Sequence, residues 1–196
     1  MARSVAQQGR VGSSHRIQRG LVTSEAPLYE RDPGAWEAYL AEGNAKQARK
    51  RVGADVILRD GAGRLLLVDP RYKPDWDLPG GMAEANEAPH EAARRELNEE
   101  LGLDLEVIEL LCVEWVPPHG PWDDSLMFIF SGGELSDEQI AGLEIVDGEL
   151  AEFRFCTPAQ AAHMLRPYVW RRVQAALDGL NSGRVRYLDG SELSAF

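Results

Sequence analysis

Three carboxylates, Glu96, Glu99 and Glu100, crowd into the run RRELNEELG. If that run is helical, successive residues advance by about 100°, and the three acids share one arc about 100° wide. Ala93, Leu97 and Leu101 then form an i, i+4, i+8 stripe on the adjoining side, the face expected to be buried. Like charges so placed repel by a few tenths of a kcal/mol per pair on an open helix, and by more where solvent is restricted. A divalent cation relieves that repulsion. Magnesium takes hard oxygen ligands, keeps several waters and commonly completes its shell with substrate phosphates, so clustered glutamates with an open side suit it. A charged run of this kind also serves as a plain solvated helix face, so the surrounding sequence has to decide between the two.

The elements that would hold these acids are legible in outline. Pro89 at a first helical position and Gly102 as a stop delimit a helix over 88–101. Before it, VGADVILRD (52–60) and RLLLVD (64–69) read as two strands joined by the turn DGAG, and WDLPGG (76–81) as a loop feeding the helix. After it, LEVIELLCVEWV (105–116), SLMFIFSG (125–132) and AEFRFC (151–156) read as strands, with an acidic, irregular stretch over 134–148. Thr157 and Pro158 open one further helix, and Pro167 opens a second that runs to about residue 177. Near the start, Asp32 and Pro33 resemble an N-cap and first helical position, predicting a helix over 33–49. Strands and helices mixed in this order imply a central mixed sheet between helical layers. The expected organisation is a disordered tail at 1–25, a helical extension at 26–50, one α/β domain over 51–180 and a C-terminal extension at 181–196.

Bulk properties narrow the chemistry. The chain has 196 residues, with 32 acidic against 21 basic side chains and a formal net charge of −11. Its overall field repels polyanions, so nonspecific nucleic-acid binding is disfavoured and any action on phosphates calls for bound cations. Cys112 and Cys156, the two cysteines, lie in apolar runs without Cys or His neighbours suited to zinc. Both read as core thiols in a reducing compartment. The first twenty residues lack the apolar stretch of a secretory signal or membrane span, which points to the cytoplasm. No Gly-x-Ser-x-Gly turn of a serine hydrolase occurs, and His15, His90 and His163 have no clustered partners.

The wider context of the acids then gives them a family. The segment GMAEANEAPHEAARRELNEELGL (81–103) resembles the signature of the Nudix hydrolases, with Gly81, Glu87, Arg95, Glu96, Leu97, Glu99, Glu100, Gly102 and Leu103 filling every specified place. The resemblance implies an α/β/α sandwich whose mixed central sheet carries a catalytic loop, helix and loop. It implies that Glu96, Glu99 and Glu100 bind or position Mg2+, with Mn2+ a substitute, and that the Gly81 carbonyl adds a ligand. Glu87 and Arg95 are then structural, a carboxylate near the helix N-terminus and a guanidinium partner for it, while Gly102 ends the helix. The implied reaction is attack of water on a phosphorus of a diphosphate linkage, with cations neutralising charge and a carboxylate taking the proton. Glu100 is the first candidate for that base and Glu96 a second catalytic position. Family members that place the base in a later loop keep Glu144, Glu149 and Glu152 open.

Marks of substrate choice are fewer. Members acting on ADP-ribose often carry a proline about fifteen positions after the signature, and Pro118 sits there. Its loop, WVPPHGPW, offers Trp115, Trp122 and His119 to a base or ribose, although tryptophans pack in cores equally well, and Trp76 shares that ambiguity. The expected partner is a small nucleoside diphosphate derivative, of the nucleotide-sugar or ADP-ribose type or a nucleoside triphosphate. Two other readings belong beside it: a nucleotide-sensing regulator that binds without cleaving, and a diphosphate isomerase of related fold. Residues 33–49 and 180–196 could furnish a homodimer interface.

Overall fold

The computed structural model describes residues 26–105 and 109–193. The expected tail at 1–25 lies outside the described residues. Two short N-terminal helices, α1 (Leu28–Arg31) and α2 (Pro33–Lys46), make a unit separate from the remainder of the chain. The Asp32 carboxylate accepts the Ala35 N–H at 2.9 Å and Pro33 follows it, the capping chemistry read from the sequence. Trp36 stacks on Tyr39, and neither helix contains a buried residue.

The second unit is built on β1 (Arg51–Arg59), β2 (Leu65–Pro70), β3 (Gly80–Met82), α3 (Pro89–Leu101), β4 (Glu109–Val116), β5 (Ser125–Glu134), α4 (Asp137–Gly142), β6 (Leu150–Cys156), α5 (Pro158–Met164), α6 (Pro167–Ser182) and β7 (Arg186–Asp189). The strands form one seven-stranded sheet in the order β6-β2-β1-β5-β4-β7, with β3 also paired to β1. The β1/β5 and β4/β7 pairs are parallel and the other pairs antiparallel, so the sheet is mixed.

Alternation along β1 explains the layers. Ala54, Val56 and Leu58 face α3, where Ala92, Ala93, Leu97 and Leu101 complete one core. Ile57 faces the other way, into a core made with Leu67, Leu111, Ile129, Leu165, Val169, Val173 and Ala176 of the α5 and α6 side. The result is an α/β sandwich with α3 on one face and α5 and α6 on the other. Both thiols are buried in this second core, and burial pushes the Cys112 thiol up to about 11. A thiol so held is inert at neutral pH.

Several elements differ from the sequence reading. Residues 137–142, expected to be irregular, form α4, because Ser136 and Gln139 close a capping box and Ile140 packs on the α3 core. Residues 80–82, expected as loop, form β3, a strand too short and glycine-rich to show a period. Of the 105–116 run, Glu109–Val116 forms β4, residues 106–108 lying outside the described residues, and α6 extends beyond residue 177 to Ser182. The sheet also continues past residue 180: β7 lies parallel to β4, with Tyr187 opposite Val113. Among the described residues no helix is long and apolar enough to cross a membrane.

Candidate active site

Strand β3 and helix α3 meet at the acids. Gly81 pairs with Ala54 and Gly80 with Asp55 across β1, which brings bare backbone alongside the helix. A Cβ on Gly81 would stand 2.4 Å from Glu96 Oε1, so the Glu96 carboxylate occupies the space a side chain would fill. Gly80 has φ 137°, and a Cβ there would come within 2.3 Å of the Ala54 carbonyl oxygen. Only glycine fits that approach. The Gly80 N–H donates to Glu100 Oε2 at 2.9 Å, tying the end of α3 to the strand. Gly102, at φ 65°, stops the helix in the left-handed conformation expected of it.

The three acids share a helix face but not a partner. Arg95 is the hub. Its Nε and Nη2 donate to Glu87 Oε1 and Oε2 at 2.9 and 3.1 Å, its Nη1 to Glu96 Oε1 and Glu99 Oε2 at 2.9 Å each, and its Nη2 also reaches the Met82 carbonyl at 3.1 Å. Glu87 also accepts the Glu84 N–H at 2.7 Å, which fixes the turn before α3. These bonds hold the Glu87 carboxyl below its ordinary range, the Arg95 pairing being the main cause. Glu99 is half exposed, while Glu100 is only 8% exposed.

Burial sets the charge of the inner pair. Desolvation pushes the Glu100 carboxyl up to about 8; the fields of Glu96, Asp147 and Asp55 add to this, and the Gly80 N–H opposes it. Glu96 is raised as well, chiefly by burial, with Arg95 pulling the other way and Glu99 and Glu149 adding to the rise. As the side chains stand, no group of three His, Cys, Asp or Glu among the described residues is gathered to hold a metal ion. The donor set nevertheless fits a hard divalent cation. Glu96, Glu99, Glu100 and the Gly81 backbone present oxygen on one side of α3, and two of the carboxylates are shared with a single guanidinium group.

The later acidic loop comes back to this face. Val146 N–H donates to the Glu100 carbonyl and Glu144 N–H to that of Leu101, each at 3.2 Å. Asp147 and Glu149 act on the α3 carboxylates through space. Glu152 does not face them: it pairs with Arg154 on β6, opposite Asp69 of β2. Asp147 was not singled out in the sequence, since its approach depends on the loop over 143–149 folding back onto α3.

A cavity of about 630 Å³ opens beside this face, lined by Gly80, Gly81 and Glu100 and extending past Val68, Leu78, Met127 and Val169. The volume suits a small organic ligand. Trp122 lies on its rim under the Arg51 guanidinium, 4.7 Å from the ring centroid. Trp115 and Pro118 are not among the lining residues. The Trp115 indole N–H donates to Asp124 Oδ2 at 2.8 Å, and Asp124 is also held by Lys50. Pro117 and His119 do line the cavity, and Trp76 instead carries Arg154 over its ring.

Sequence reasoning missed a buried ionic chain on the α6 side. Arg171 donates to Glu114 Oε1 at 2.6 Å, Arg172 to Glu114 Oε2 at 2.7 Å, and Arg172 Nη1 stands 3.7 Å from Asp55 Oδ2. Asp55, Glu114 and Arg172 all line the cavity. A signal existed: an aspartate between Ala54 and Val56 in an otherwise apolar strand is expensive unless something answers its charge.

Residues 49–176 match the family model described as NUDIX domain. The chain is 30% identical over 140 residues to a MutT-like protein of Streptomyces ambofaciens, covering 71% of this chain and 84% of that one. It is 28% identical over 144 residues to a putative 8-oxo-dGTP diphosphatase of Bacillus subtilis, covering 73% and 91% respectively. Among solved structures, the NUDIX domain of Shewanella oneidensis NrtR complexed with ADP ribose superposes with a TM-score of 0.59 at 21% identity, covering 74% of this chain and 97% of that one.

Proposed function

This chain belongs to the NUDIX domain family and is a Nudix hydrolase, and on that premise we propose that it hydrolyses, with Mg2+, the diphosphate linkage of a small nucleoside diphosphate derivative. The observation that carries the reading is the abutment of Glu96 and Glu100 on the bare Gly80–Gly81 backbone, beside a ligand-sized cavity. Relatives with names as different as a putative 8-oxo-dGTP diphosphatase and a MutT-like protein support the reaction class and leave the leaving group to this chain's own cavity.

Glu96, Glu99, Glu100 and the Gly81 carbonyl would hold the cation, which neutralises phosphate charge and acidifies water. Arg95 then has a clear task. By bonding Glu87, Glu96, Glu99 and the Met82 carbonyl at once, it fixes the helix acids against β3. Glu100 is held in a dry setting where its proton is retained near neutrality in the metal-free chain. Beside a bound cation Glu100 would be ionised, and its carboxylate would accept the proton of the attacking water. Water adds to one phosphorus, the bridging oxygen leaves with the electron pair of the broken P–O bond, and two phosphate-bearing products form. Asp147 and Glu149, whose fields reach Glu100 and Glu96, are the alternative acids at this face.

Incubation with Mg2+ and a panel of nucleoside triphosphates, ADP-ribose, dinucleoside polyphosphates and sugar nucleotides, read by product mass, tests the proposal. Cleavage of at least one member, lost in Glu96→Gln and Glu100→Gln, is expected. Unchanged turnover in both variants removes these residues from the mechanism. Tight binding of one member without cleavage favours a nucleotide sensor.

A further inference from the structure

Asp55 sits where the β1 alternation turns its side chain to the α6 side, and its side chain is only 10% exposed. Its carboxylate lines the cavity, yet among the described residues it accepts no hydrogen bond. Arg172 Nη1, 3.7 Å away, is its ion-pair partner, and the Nε of that guanidinium is committed to Glu114 at 2.7 Å. Asp77, a second carboxylate in the cavity, is already answered by Lys73 and by the Leu78 N–H at 2.9 Å. A buried carboxylate that lines a cavity and accepts no hydrogen bond is costly until a ligand brings donors to it.

The surroundings say which part of a ligand that is. Asp77, Glu100 and Glu114 border this space beside Asp55, and Lys73, Arg166 and Arg172, which also line it, are taken by Asp77, Asp75 and Glu114, so at Asp55 itself an uncharged group carrying N–H or O–H donors is favoured. Val68, Leu78, Met127 and Val169 supply apolar walls suited to a flat heterocycle more than to a hydroxyl-bearing sugar. The two oxygens of a carboxylate match two adjacent parallel donors. Guanine offers such a pair in its ring N–H and exocyclic amino group. Adenine places an acceptor nitrogen beside its amino group, and one Asp55 oxygen would face that lone pair.

We infer that Asp55 is a specificity-determining residue whose carboxylate accepts the paired N–H donors of a guanine-type base inside the cavity. The inference rests on the nucleotide reading above, and it deepens that reading by naming the base. A site built to accept two donors rejects a ligand lacking one of them, because a buried acceptor is then left unpaired.

The test uses the full chain with Mg2+ and calorimetric titration of GMP, IMP, AMP and ribose 5-phosphate, none of which contains a diphosphate linkage. GMP is expected to bind about tenfold or more tightly than IMP, which lacks only the exocyclic amino group, and than AMP. Asp55→Asn, which presents one donor and one acceptor, is expected to lose that preference and bind AMP as well as or better than GMP. Equal binding of GMP, IMP and AMP by the unaltered chain overturns the inference without any variant. So does an equal weakening of all four ligands in Asp55→Asn, the pattern of a ribose contact or of structural damage. Failure of the diphosphate panel with the GMP preference intact counts against hydrolysis alone, and cleavage without base preference counts against Asp55 alone.

Discussion

Replacing Glu100 by glutamine removes a titration that the fold itself creates. In the metal-free chain, burial first, and then the fields of Glu96, Asp147 and Asp55, raise the carboxyl from 4.5 to about 8. The folded state therefore holds a proton that the unfolded chain releases near pH 4.5. That contribution to stability is complete below pH 4.5 and is lost as pH rises through 8. At about 1.4 kcal/mol for each pH unit, the window amounts to about 5 kcal/mol for this group. For a chain of this size that corresponds to a fall in Tm on the order of 10–15 °C. Thermal unfolding in EDTA between pH 5 and pH 8 measures it. The wild-type Tm should fall steeply over this range, and Glu100→Gln, which carries no titrating proton there, should fall less by the share of the window between pH 5 and pH 8, about 3.5 kcal/mol or on the order of 10 °C. Glu96 and Asp55, also raised chiefly by burial, act in the same direction in both proteins, and because their fields and that of Glu100 act on one another the difference between the slopes reports Glu100 with this coupling included. Adding Mg2+ should stabilise the wild type more at pH 8 than at pH 5, since the cation competes with the proton. Parallel wild-type and variant slopes would refute the reasoning, showing that Glu100 is solvated or already ionised in the folded chain.

Three further outcomes follow from the same geometry. Gly81→Ala places a Cβ 2.4 Å from Glu96 Oε1 and so displaces that carboxylate; kcat/KM in the cleavage assay should drop about a hundredfold while the Tm changes by only a few degrees. Glu114→Gln leaves Arg171 and Arg172 without their shared carboxylate. Denaturant unfolding should show a loss of about 3–5 kcal/mol, and a change under 1 kcal/mol would show the ionic chain to be incidental. Trp122, 54% exposed and covered by Arg51, lines the cavity. Trp122→Ala should raise KM by about five- to tenfold with kcat unchanged, whereas a fall in kcat alone would place the ring at the reacting phosphorus.

Much of the reaction class was legible because it lies in one continuous segment. Residues 81–103 fix the identity and spacing of Glu96, Glu99 and Glu100, and helical geometry alone puts them on one face. The stripe Ala93, Leu97 and Leu101 foretold which side α3 buries, and Pro89 and Gly102 foretold its ends. Local chemistry suffices for such features, since a cap, a stop and a 3.6-residue period are all read within a few turns. Elements without a period were not legible: β3 is three residues long, and β7 is a strand only because β4 offers it an edge.

Tertiary structure alone decided how buried each acid is, and so which one keeps its proton. Sequence treats Glu96, Glu99 and Glu100 as equivalent carboxylates; the fold leaves Glu99 half exposed beside Arg95 and seals Glu100 against the Gly80 N–H. It also decided the cavity. Trp115 and Trp122 stand seven positions apart, one at the end of β4 and the other in the connection after it, yet one is tied to Asp124 and the other lies on the cavity rim. Asp55, Glu114 and Arg172, from β1, β4 and α6, meet although nothing in their spacing relates them. A covalent sequence fixes neighbours along the chain, whereas desolvation and Coulomb energy depend on neighbours in space, which are set by the packing of distant elements.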